Sequence, residues 1–289
     1  MRLRVGAGTD TGRVRTMNED VYVLREDRGL FLVCDGMGGA PAGEVASQLA
    51  ADAIVERLET SDEFEDVSEN AGTYLPWTNR LGEAVRQSNH VVYHHGQIDR
   101  RRAEMGTTVV GAWLNHHVAS VAHVGDSRAY LWHDKSLHLL TCDHSLVEAK
   151  VRAGVLDRER SAESTEQNVL LRVIGGGPDV VVDLHEVPVR PGDYLLLCSD
   201  GLTRMVPDAA LAEAIVRCRA PQRICDFLID AANRNGGADN ITVVVVEVVE
   251  SWWRRLALRW RPAAVRMEEQ PFAGARTTHR EATDDAVAQ

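Results

Sequence analysis

The stretch FLVCDGMGG, residues 31–39, joins an apolar run to an aspartate, Asp35, and a glycine-rich turn. A short apolar run predicts a buried strand, and Asp-Gly directly after it predicts a turn. Related patterns place Asp126 in VAHVGDSR, Asp200 in LLLCSDGL and Asp239 in GGADNITVVVV, just before a strand. Each instance alone is typical of a turn, but together they predict that folding brings several carboxylates to one edge of the core.

Converging carboxylates repel one another unless they are protonated or bind cations. Oxygen ligands suit hard ions such as Mg²⁺ and Mn²⁺. Gly36 can offer its backbone carbonyl to such an ion, and the glycines that follow Met37 permit a sharp turn into the next element. The adjacent pairs His94–His95 and His116–His117 point apart on a helix or strand, so we predict surface histidines rather than zinc ligands.

The segment GRVRTMNED, residues 12–20, brings Arg15 close in sequence to Glu19 and Asp20. Arginine is suited to binding a phosphate with two hydrogen bonds, and the two carboxylates can hold metal-bound water rather than the metal itself. The same residue types are also typical of a loop with a solvated ion pair. Both interpretations stay open from this segment alone.

Composition narrows the class of protein and of partner. The chain has 289 residues, 44% of them apolar and 26% charged, so it can bury a substantial core. A net charge of -11 leads us to expect no nucleic-acid partner, but it is compatible with a phosphorylated substrate if bound cations reverse the local field. Five cysteines without a CxxC pair argue against disulfides, and no run approaches the roughly 20 apolar residues of a membrane span. We therefore expect a cytoplasmic protein with no transmembrane segment.

The order of elements predicts an α+β fold. Buried strands are predicted at Gly29–Cys34, Thr108–Leu114, His117–Val124, Tyr194–Cys198 and Ile241–Val249. Amphipathic helices are predicted at 45–58, 81–92, 211–218 and 224–232. Short turns between consecutive strands favour antiparallel pairing, so we expect sheet packed on sheet with helices outside. An irregular polar stretch at about Leu156–Asn168 predicts a surface flap.

In this order the motifs resemble the metal-dependent protein phosphatases of the protein phosphatase 2C type. The resemblance covers about residues 2–249 and rests on RTMNED, VCDGMGGAPAGEVAS, MGTTVVGA, VAHVGDSRAYL, LTCDHSLV, YLLLCSDGLTRMV and ADNITVVVV. It implies a four-layer α-β-β-α sandwich with two central antiparallel sheets flanked by helices. It also implies a catalytic domain over residues 1–249 with a flap at about 145–175, followed by a basic aromatic segment and tail over 250–289.

The resemblance further implies a role for each candidate residue. Two core Mn²⁺ or Mg²⁺ ions are bridged by one carboxylate and held by a neighbouring carbonyl and two more carboxylates: Asp35, Gly36, Asp200 and Asp239. Glu19 and Asp20 act on coordinated water, and Arg15 holds the substrate phosphate. Asp126 joins Asp200 at a possible third, weaker ion.

The implied reaction is hydrolysis of phosphoserine and phosphothreonine by a metal-bridging hydroxide, with no phosphoenzyme. Phosphorylated proteins are the expected partners, together with a bacterial Ser/Thr kinase that the enzyme opposes. Met37 stands where many eukaryotic relatives have a histidine that is proposed to protonate the leaving group. A thioether cannot do this, so a water or the substrate must supply the proton.

Three alternatives remain open from the sequence. Cys198 and Arg204 have the C-x5-R spacing of cysteine-dependent phosphatases, although Asp200 between them disfavours a thiolate. An inactive relative could bind phosphoproteins through the same scaffold, a hypothesis that loss of a metal ligand would favour; none is lost. The segment 251–261, rich in Trp and Arg, could dock on a membrane surface or a partner, or could form a helix packed on its own domain.

Overall fold

The structure is a computed structural model that describes residues 1–39, 42–60, 73–98, 104–161 and 164–249. The basic aromatic segment 251–261 and the tail lie outside these residues, and so does the docking role predicted for them. In the described part of the chain, no helix combines the length and the apolar character that a membrane span requires.

The described residues form strands and helices in the predicted order. The strands are β1 (Arg2–Asp10), β2 (Asp20–Arg25), β3 (Leu30–Met37), β4 (Gly106–Thr107), β5 (Val109–Asn115), β6 (Val118–Val124), β7 (Arg128–His133), β8 (Ser136–Leu139), β9 (Asp183–Pro188), β10 (Tyr194–Cys198) and β11 (Ile241–Val249). The helices are α1 (Ala42–Thr60), α2 (Pro76–Ile98), α3 (Leu146–Arg152), α4 (Arg158–Ser161), α5 (Asp200–Thr203), α6 (Asp208–Cys218) and α7 (Pro221–Arg234).

The strands pair into two sheets, and every pair is antiparallel. The first sheet has the order β1-β11-β10-β7-β8. The second has the order β2-β3-β5-β6-β9, with the short β4 paired to the end of β3. The prediction of antiparallel sheets rather than a doubly wound parallel sheet is confirmed.

Three apolar layers separate four layers of secondary structure. One lies between the two sheets, a second between the second sheet and the helices α1 and α2, and a third between the first sheet and the helices α6 and α7. Both sheets are therefore covered on both faces, which explains why their central strands read as nearly continuous apolar runs. The predicted α-β-β-α sandwich is confirmed.

The alternation of side chains along β3 positions its terminal aspartate. Leu32 and Cys34 pack towards α1 and α2, whereas Phe31 and Val33 face the other sheet. Successive side chains of a strand point to opposite faces, so Asp35 is in phase with Phe31 and Val33. Its carboxylate therefore enters the space between the two sheets at the point where the apolar packing ends.

Several predictions of local structure can be compared with these elements. The five predicted strands are observed as β3, β5, β6, β10 and β11, and the four predicted helices as α1, α2, α6 and α7. The stretch expected to be an irregular flap is instead partly helical, because α3 and α4 lie within or beside it. Ser145 caps α3 by accepting a hydrogen bond from the Glu148 amide at 3.2 Å. His94, His116 and His117 are exposed as predicted, whereas His95 is half-buried.

Candidate active site

A cleft of about 270 Å³ opens where the two sheets meet the flap. Seven of the eight predicted site residues line it: Arg15, Glu19, Asp35, Gly36, Asp126, Asp200 and Asp239. The eighth, Asp20, is buried and lies beside Asp35 in the sheet. The cleft is thus built from strand ends and loops that are far apart in sequence.

Strand register brings the first two carboxylates together. Asp20 at the start of β2 is the direct cross-strand partner of Asp35 near the end of β3. Directly opposed residues of antiparallel strands share one face, with their Cβ atoms about 5 Å apart. Like charges at such a distance destabilise a bare sheet, so the register itself requires a compensating cation or proton at this position.

The first sheet supplies the other side of the cleft. The Ser199 hydroxyl, at the end of β10, donates to Asp20 Oδ2 at 2.8 Å and accepts from the Thr242 amide of β11 at 3.0 Å. Gly201 packs so closely on the chain before β11 that an added Cβ would lie 2.0 Å from the Asn240 carbonyl oxygen. These contacts hold Asp200 and Asp239 side by side.

Burial and mutual repulsion disfavour the charged form of these carboxyl groups. Burial raises the pKa of Asp20 to about 7 and that of Asp126 to about 8, and in both cases the Asp200 carboxylate adds to the shift. The pKa of Asp35 rises well above its usual range for the same two reasons. Burial also raises the pKa of Asp200 and of Glu19. The negative charge of the cleft is therefore only partly compensated, even with Arg204 beside Asp126 and Asp200.

Three buried carboxylate oxygens of the cleft indicate which kind of ligand it can bind. Glu19 Oε1, Asp20 Oδ1 and Asp200 Oδ1 are buried and accept no hydrogen bond from any described residue. An unsatisfied buried oxygen carries a free-energy penalty of about 1–3 kcal/mol, more when it is charged. Hard divalent cations bind such oxygens, so the residues present fit a Mn²⁺ or Mg²⁺ centre.

Gly36 is required by close packing as well as by its proposed ligand role. A Cβ at Gly36 would lie 2.2 Å from the carbonyl oxygen of Gly43, at the start of α1. Gly43 in turn packs against Glu19, whose carboxyl carbon would lie 2.7 Å from a Cβ at position 43. The predicted turn is also present, since Gly38 and Gly39 have φ angles of 121° and 74°.

The arginines of the cleft contact aspartates from two sides. Arg15 Nη2 donates to Asp239 Oδ2 at 2.9 Å, and half of the Arg15 side chain remains exposed. On the other side, Arg204 forms ion pairs with Asp126 and Asp200. The sequence identified Arg15 as a phosphate ligand but considered Arg204 only for its spacing from Cys198.

Other residues that organise the cleft were missed from sequence. Asn240 ties the N-terminal segment to β11: its amide group donates to the Thr11 and Met17 carbonyls at 3.0 and 2.9 Å and accepts from the Glu19 amide at 2.8 Å. Thr108 accepts from the Asp35 amide at 3.1 Å. The only sequence signal for either was its position inside a motif, ADNIT or MGTTVV.

The spacing of the carboxylates does not form a ready cage for one ion. Among the described residues, the only three His, Cys, Asp or Glu side chains whose ligand atoms all lie within 4.8 Å of one another are His123, His144 and Asp183. Two ions about 3.5–4 Å apart require a broader arrangement of ligands than one ion does. The cleft carboxylates do not meet the 4.8 Å criterion by themselves, and an ion such as Mg²⁺ that keeps several bound waters needs fewer protein ligands.

Three members of the histidine cluster, His144, Arg172 and Asp183, are joined by hydrogen bonds and ion pairs, whereas both ring nitrogens of His123 are buried and have no hydrogen-bond partner among the described residues. The Gly125 amide donates to His144 Nδ1 at 3.1 Å, and His144 Nε2 lies 3.2 Å from Asp183 Oδ2 and 3.0 Å from Arg172 Nη1. The amide and the guanidinium are donors, so both ring nitrogens of His144 are engaged by groups of the protein. Arg172 adds a second donor to Asp183, Nη1 to Oδ1, at 2.7 Å.

The cysteine alternative is wrong for this structure. Cys198 is fully buried, and the phase of β10 turns its side chain towards the helices α6 and α7, away from the cleft. Burial raises the pKa of its thiol to about 12, so it is protonated at neutral pH. Arg204, its supposed phosphate-binding partner, contacts aspartates instead.

Comparisons with known proteins agree with this geometry. Residues 7–240 match the family described as protein phosphatase 2C. The serine/threonine phosphatase stp of Listeria monocytogenes serotype 4b (strain F2365) is 39% identical over 248 residues, which cover 83% of this chain and 93% of that protein. The chain is thus similar to bacterial phosphatases over nearly the whole described region.

Solved structures give the same result. The crystal structure of the Mycobacterium tuberculosis serine/threonine phosphatase PstP/Ppp is 33% identical, with a TM-score of 0.76, covering 86% of this chain and 100% of that one. The catalytic domain of PstP in complex with two manganese ions is also 33% identical, with a TM-score of 0.74, covering 86% of this chain and 99% of that one.

Proposed function

Because the chain belongs to the protein phosphatase 2C family and is a metal-dependent protein serine/threonine phosphatase, we propose that its acidic cleft is the catalytic centre. Asp35, Gly36, Asp200 and Asp239 would hold two Mn²⁺ or Mg²⁺ ions there. The observation that carries this proposal is the set of buried carboxylate oxygens without hydrogen-bond donors among the described residues, of which Asp200 Oδ1 is one.

The remaining predicted residues orient water and bind a further cation. Glu19 and Asp20 lie next to Asp35 through the packing of Gly43 on Glu19 and the β2–β3 register, so they can hold water coordinated by the ions. Asp126 contributes with Asp200 to a third, weaker position. Support for it is the Asp200 carboxylate, which lies close enough to raise the pKa of Asp126.

Phosphate binding and leaving-group protonation fall to different groups. When bound, the ions supply hydroxide at neutral pH, because they lower the pKa of water. Arg15 then binds the phosphate oxygens with its half-exposed guanidinium and exchanges its contact with Asp239 for the substrate. Met37 lines the cleft but cannot donate a proton, and the described lining residues include no His, Cys or Lys. Water or the substrate therefore protonates the leaving oxygen.

The setting of the reaction is also part of the proposal. Phosphorylated proteins are the substrates, and a Ser/Thr kinase must act before this enzyme to produce them. A cytoplasmic location is supported by five cysteines that are all free, three of them buried. A catalytic domain over residues 1–249 is supported by the register of β1 with β11, which pairs Arg2 with Val249.

The test is hydrolysis of a phosphothreonine peptide by the full chain at saturating Mn²⁺. Asp35→Asn and Asp239→Asn should each lower kcat/KM by about 1,000-fold, since each removes several kcal/mol of metal-dependent stabilisation of the transition state. EDTA should abolish wild-type activity. Cys198→Ser is the matched control and should stay within about twofold, because its thiol points away from the cleft. Loss of activity in Cys198→Ser with activity retained in the aspartate variants would overturn the proposal.

A further inference from the structure

Arg204 spans the cleft and joins its acidic floor to the flap. Its Nη2 lies 3.5 Å from Asp126 Oδ2 and also contacts Asp200 Oδ2, while its Nη1 donates to Asn168 Oδ1 at 2.6 Å. Only about a quarter of the side chain is exposed. One permanently charged guanidinium therefore satisfies two acidic residues and one flap residue together.

The acidic contacts coincide with a cation position. Asp126 and Asp200 are the two carboxylates proposed above to hold the third, weaker ion. A guanidinium between them supplies the positive charge that the pair requires, and it opposes the effect of burial on the pKa of both groups. A divalent ion and Arg204 cannot both occupy this position, because like charges in a partly buried site repel strongly.

The contact with Asn168 gives this competition a second consequence. The flap segment that carries Asn168 is also held to the chain around α3. The Leu146 amide donates to the Val169 carbonyl at 2.8 Å, the Leu171 amide donates to the His144 carbonyl at 2.7 Å, and Lys150 pairs with Glu166. Leu170 lines the cleft beside Asn168. Arg204 is the described contact that ties this segment directly to the metal-binding carboxylates.

We propose that Arg204 is a built-in cation that fills the third metal position and couples it to the flap. A third divalent ion binds at Asp126 and Asp200 only when Arg204 leaves, and its departure releases Asn168 and loosens residues 164–171. The inference rests on the proposed metal centre, and it makes Arg204 a positioning residue that sets the number of ions bound and the closure of the flap.

Calorimetric titration of the metal-stripped full chain with Mn²⁺ tests the competition. Wild type should bind two ions tightly and a third weakly. Arg204→Gln should keep the two tight ions, which shows that it is folded, and should bind the third roughly tenfold to a hundredfold more tightly. Arg204→Gln combined with Asp126→Asn should lose this gain, which locates the ion. A third-ion affinity in Arg204→Gln within threefold of wild type would overturn the proposal.

Hydrogen exchange measured by mass spectrometry tests the coupling. In wild type, exchange of residues 164–171 should rise severalfold when Mn²⁺ exceeds two equivalents, and in Arg204→Gln it should be raised from the start. Asn168→Ala removes only the contact between Arg204 and the flap. In this variant the exchange of residues 164–171 should already be raised without Mn²⁺ and should not rise further when Mn²⁺ is added. Arg4→Gln is the control, because it also removes one positive charge but does so far from the cleft. Arg4 pairs with Glu247, which lies six residues along β11 from the end nearest the cleft, so this variant should behave as wild type. If the exchange of residues 164–171 in wild type did not change when the third ion binds, the proposed coupling would be wrong.

The two proposals fail in different ways. If wild type binds no Mn²⁺ tightly and EDTA leaves hydrolysis unchanged, the proposed catalytic centre is wrong, and the inference about Arg204 falls with it. If two ions bind and support hydrolysis while the Arg204 variants match wild type in both measurements, only the inference about Arg204 is wrong.

Discussion

Two clusters of ionisable side chains in this protein differ in how far the charge of their carboxylates is compensated by neighbouring groups. The acidic cleft, formed by Glu19, Asp20, Asp35, Asp126, Asp200 and Asp239, contains buried oxygens without donors and carboxyl groups with raised pKa values. The histidine network, formed by His123, His144, Arg172 and Asp183, has its carboxylate paired twice. There the His144 and Arg172 contacts hold the pKa of Asp183 well below its usual range, against the effect of burial.

The difference shows that proximity of ligand atoms is a poor criterion for a metal site. The histidine network meets the distance criterion and the acidic cleft does not. Yet the Gly125 amide already donates to His144 Nδ1, and Asp183 is paired with both His144 and Arg172. Uncompensated charge, rather than spacing, identifies the site that requires cations.

The largest expected effect is stabilisation of the acidic cleft by metal. At a Mn²⁺ concentration a thousand times its dissociation constant, the free energy of unfolding should rise by about 4 kcal/mol. Asp35→Asn should lose most of this gain, because it removes one of the proposed metal ligands. Urea unfolding with and without Mn²⁺ measures both values.

A compensated aspartate provides the control for that measurement. Asp193 is more buried than Asp35, and it already accepts from the Arg190 amide at 2.8 Å and lies 2.9 Å from His133 Nδ1. Asp193→Asn should therefore lower stability while keeping the full gain from Mn²⁺. If Mn²⁺ raised the free energy of unfolding of Asp35→Asn as much as that of wild type, the acidic cleft would not be the site that requires cations.

The next effect in size concerns the histidine network. His144→Asn should lower the free energy of unfolding by about 2–3 kcal/mol, because the Gly125 amide and Asp183 Oδ2 each lose a buried partner. Urea unfolding measures this loss, and calorimetry should count the same number of Mn²⁺ ions as in wild type. One ion fewer in His144→Asn would show that the network binds metal after all.

The smallest of these effects is a dependence of stability on pH. Burial lowers the pKa of His123 to about 3, and the nearby His144 adds to this. Between pH 6.5 and 3 the unfolded chain binds a proton at this histidine that the folded chain does not, so stability falls as the pH falls. From pH 7.5 to 5, wild type should lose about 2 kcal/mol more than His123→Leu.

Urea unfolding at the two pH values checks this difference. The ionisable groups that face His123 are His144, His185 and Asp183. They are present in both proteins, so their own titration largely cancels. If wild type and His123→Leu lost the same free energy of unfolding between the two pH values, the folded protein would accommodate the charged His123 ring, and the prediction would be wrong.

Much of the fold could be predicted because its signals are local. Continuous apolar runs predicted β10 and β11 with the observed bounds, and helical stripes predicted α1 and α2. The strands β1 and β2 were not identified, since their faces mix polar, half-buried and apolar residues and neither has a continuous apolar run. Their strand structure depends on pairing with β11 and β3.

The candidate site shows the same division. Acidic residues at strand ends were recognisable, because a carboxylate after an apolar run is visible in the chain itself. The link between Arg204 and Asn168 was not, because 36 residues separate them and only the folded flap brings them into contact. The Asn240 side chain was missed for the same reason, since its partners lie more than 220 residues away.

By itself the sequence determined the alternation that builds two sheets and the residue types able to hold hard cations. Only the tertiary structure decided which of those carboxylates are compensated. Asp20 faces Asp35 through strand register. Asp183, in contrast, is paired with His144 and Arg172, which lie near the two ends of the flap. The physical reason is that the free energy of a buried charge depends on every dipole and charge around it, and folding brings those groups from distant parts of the chain.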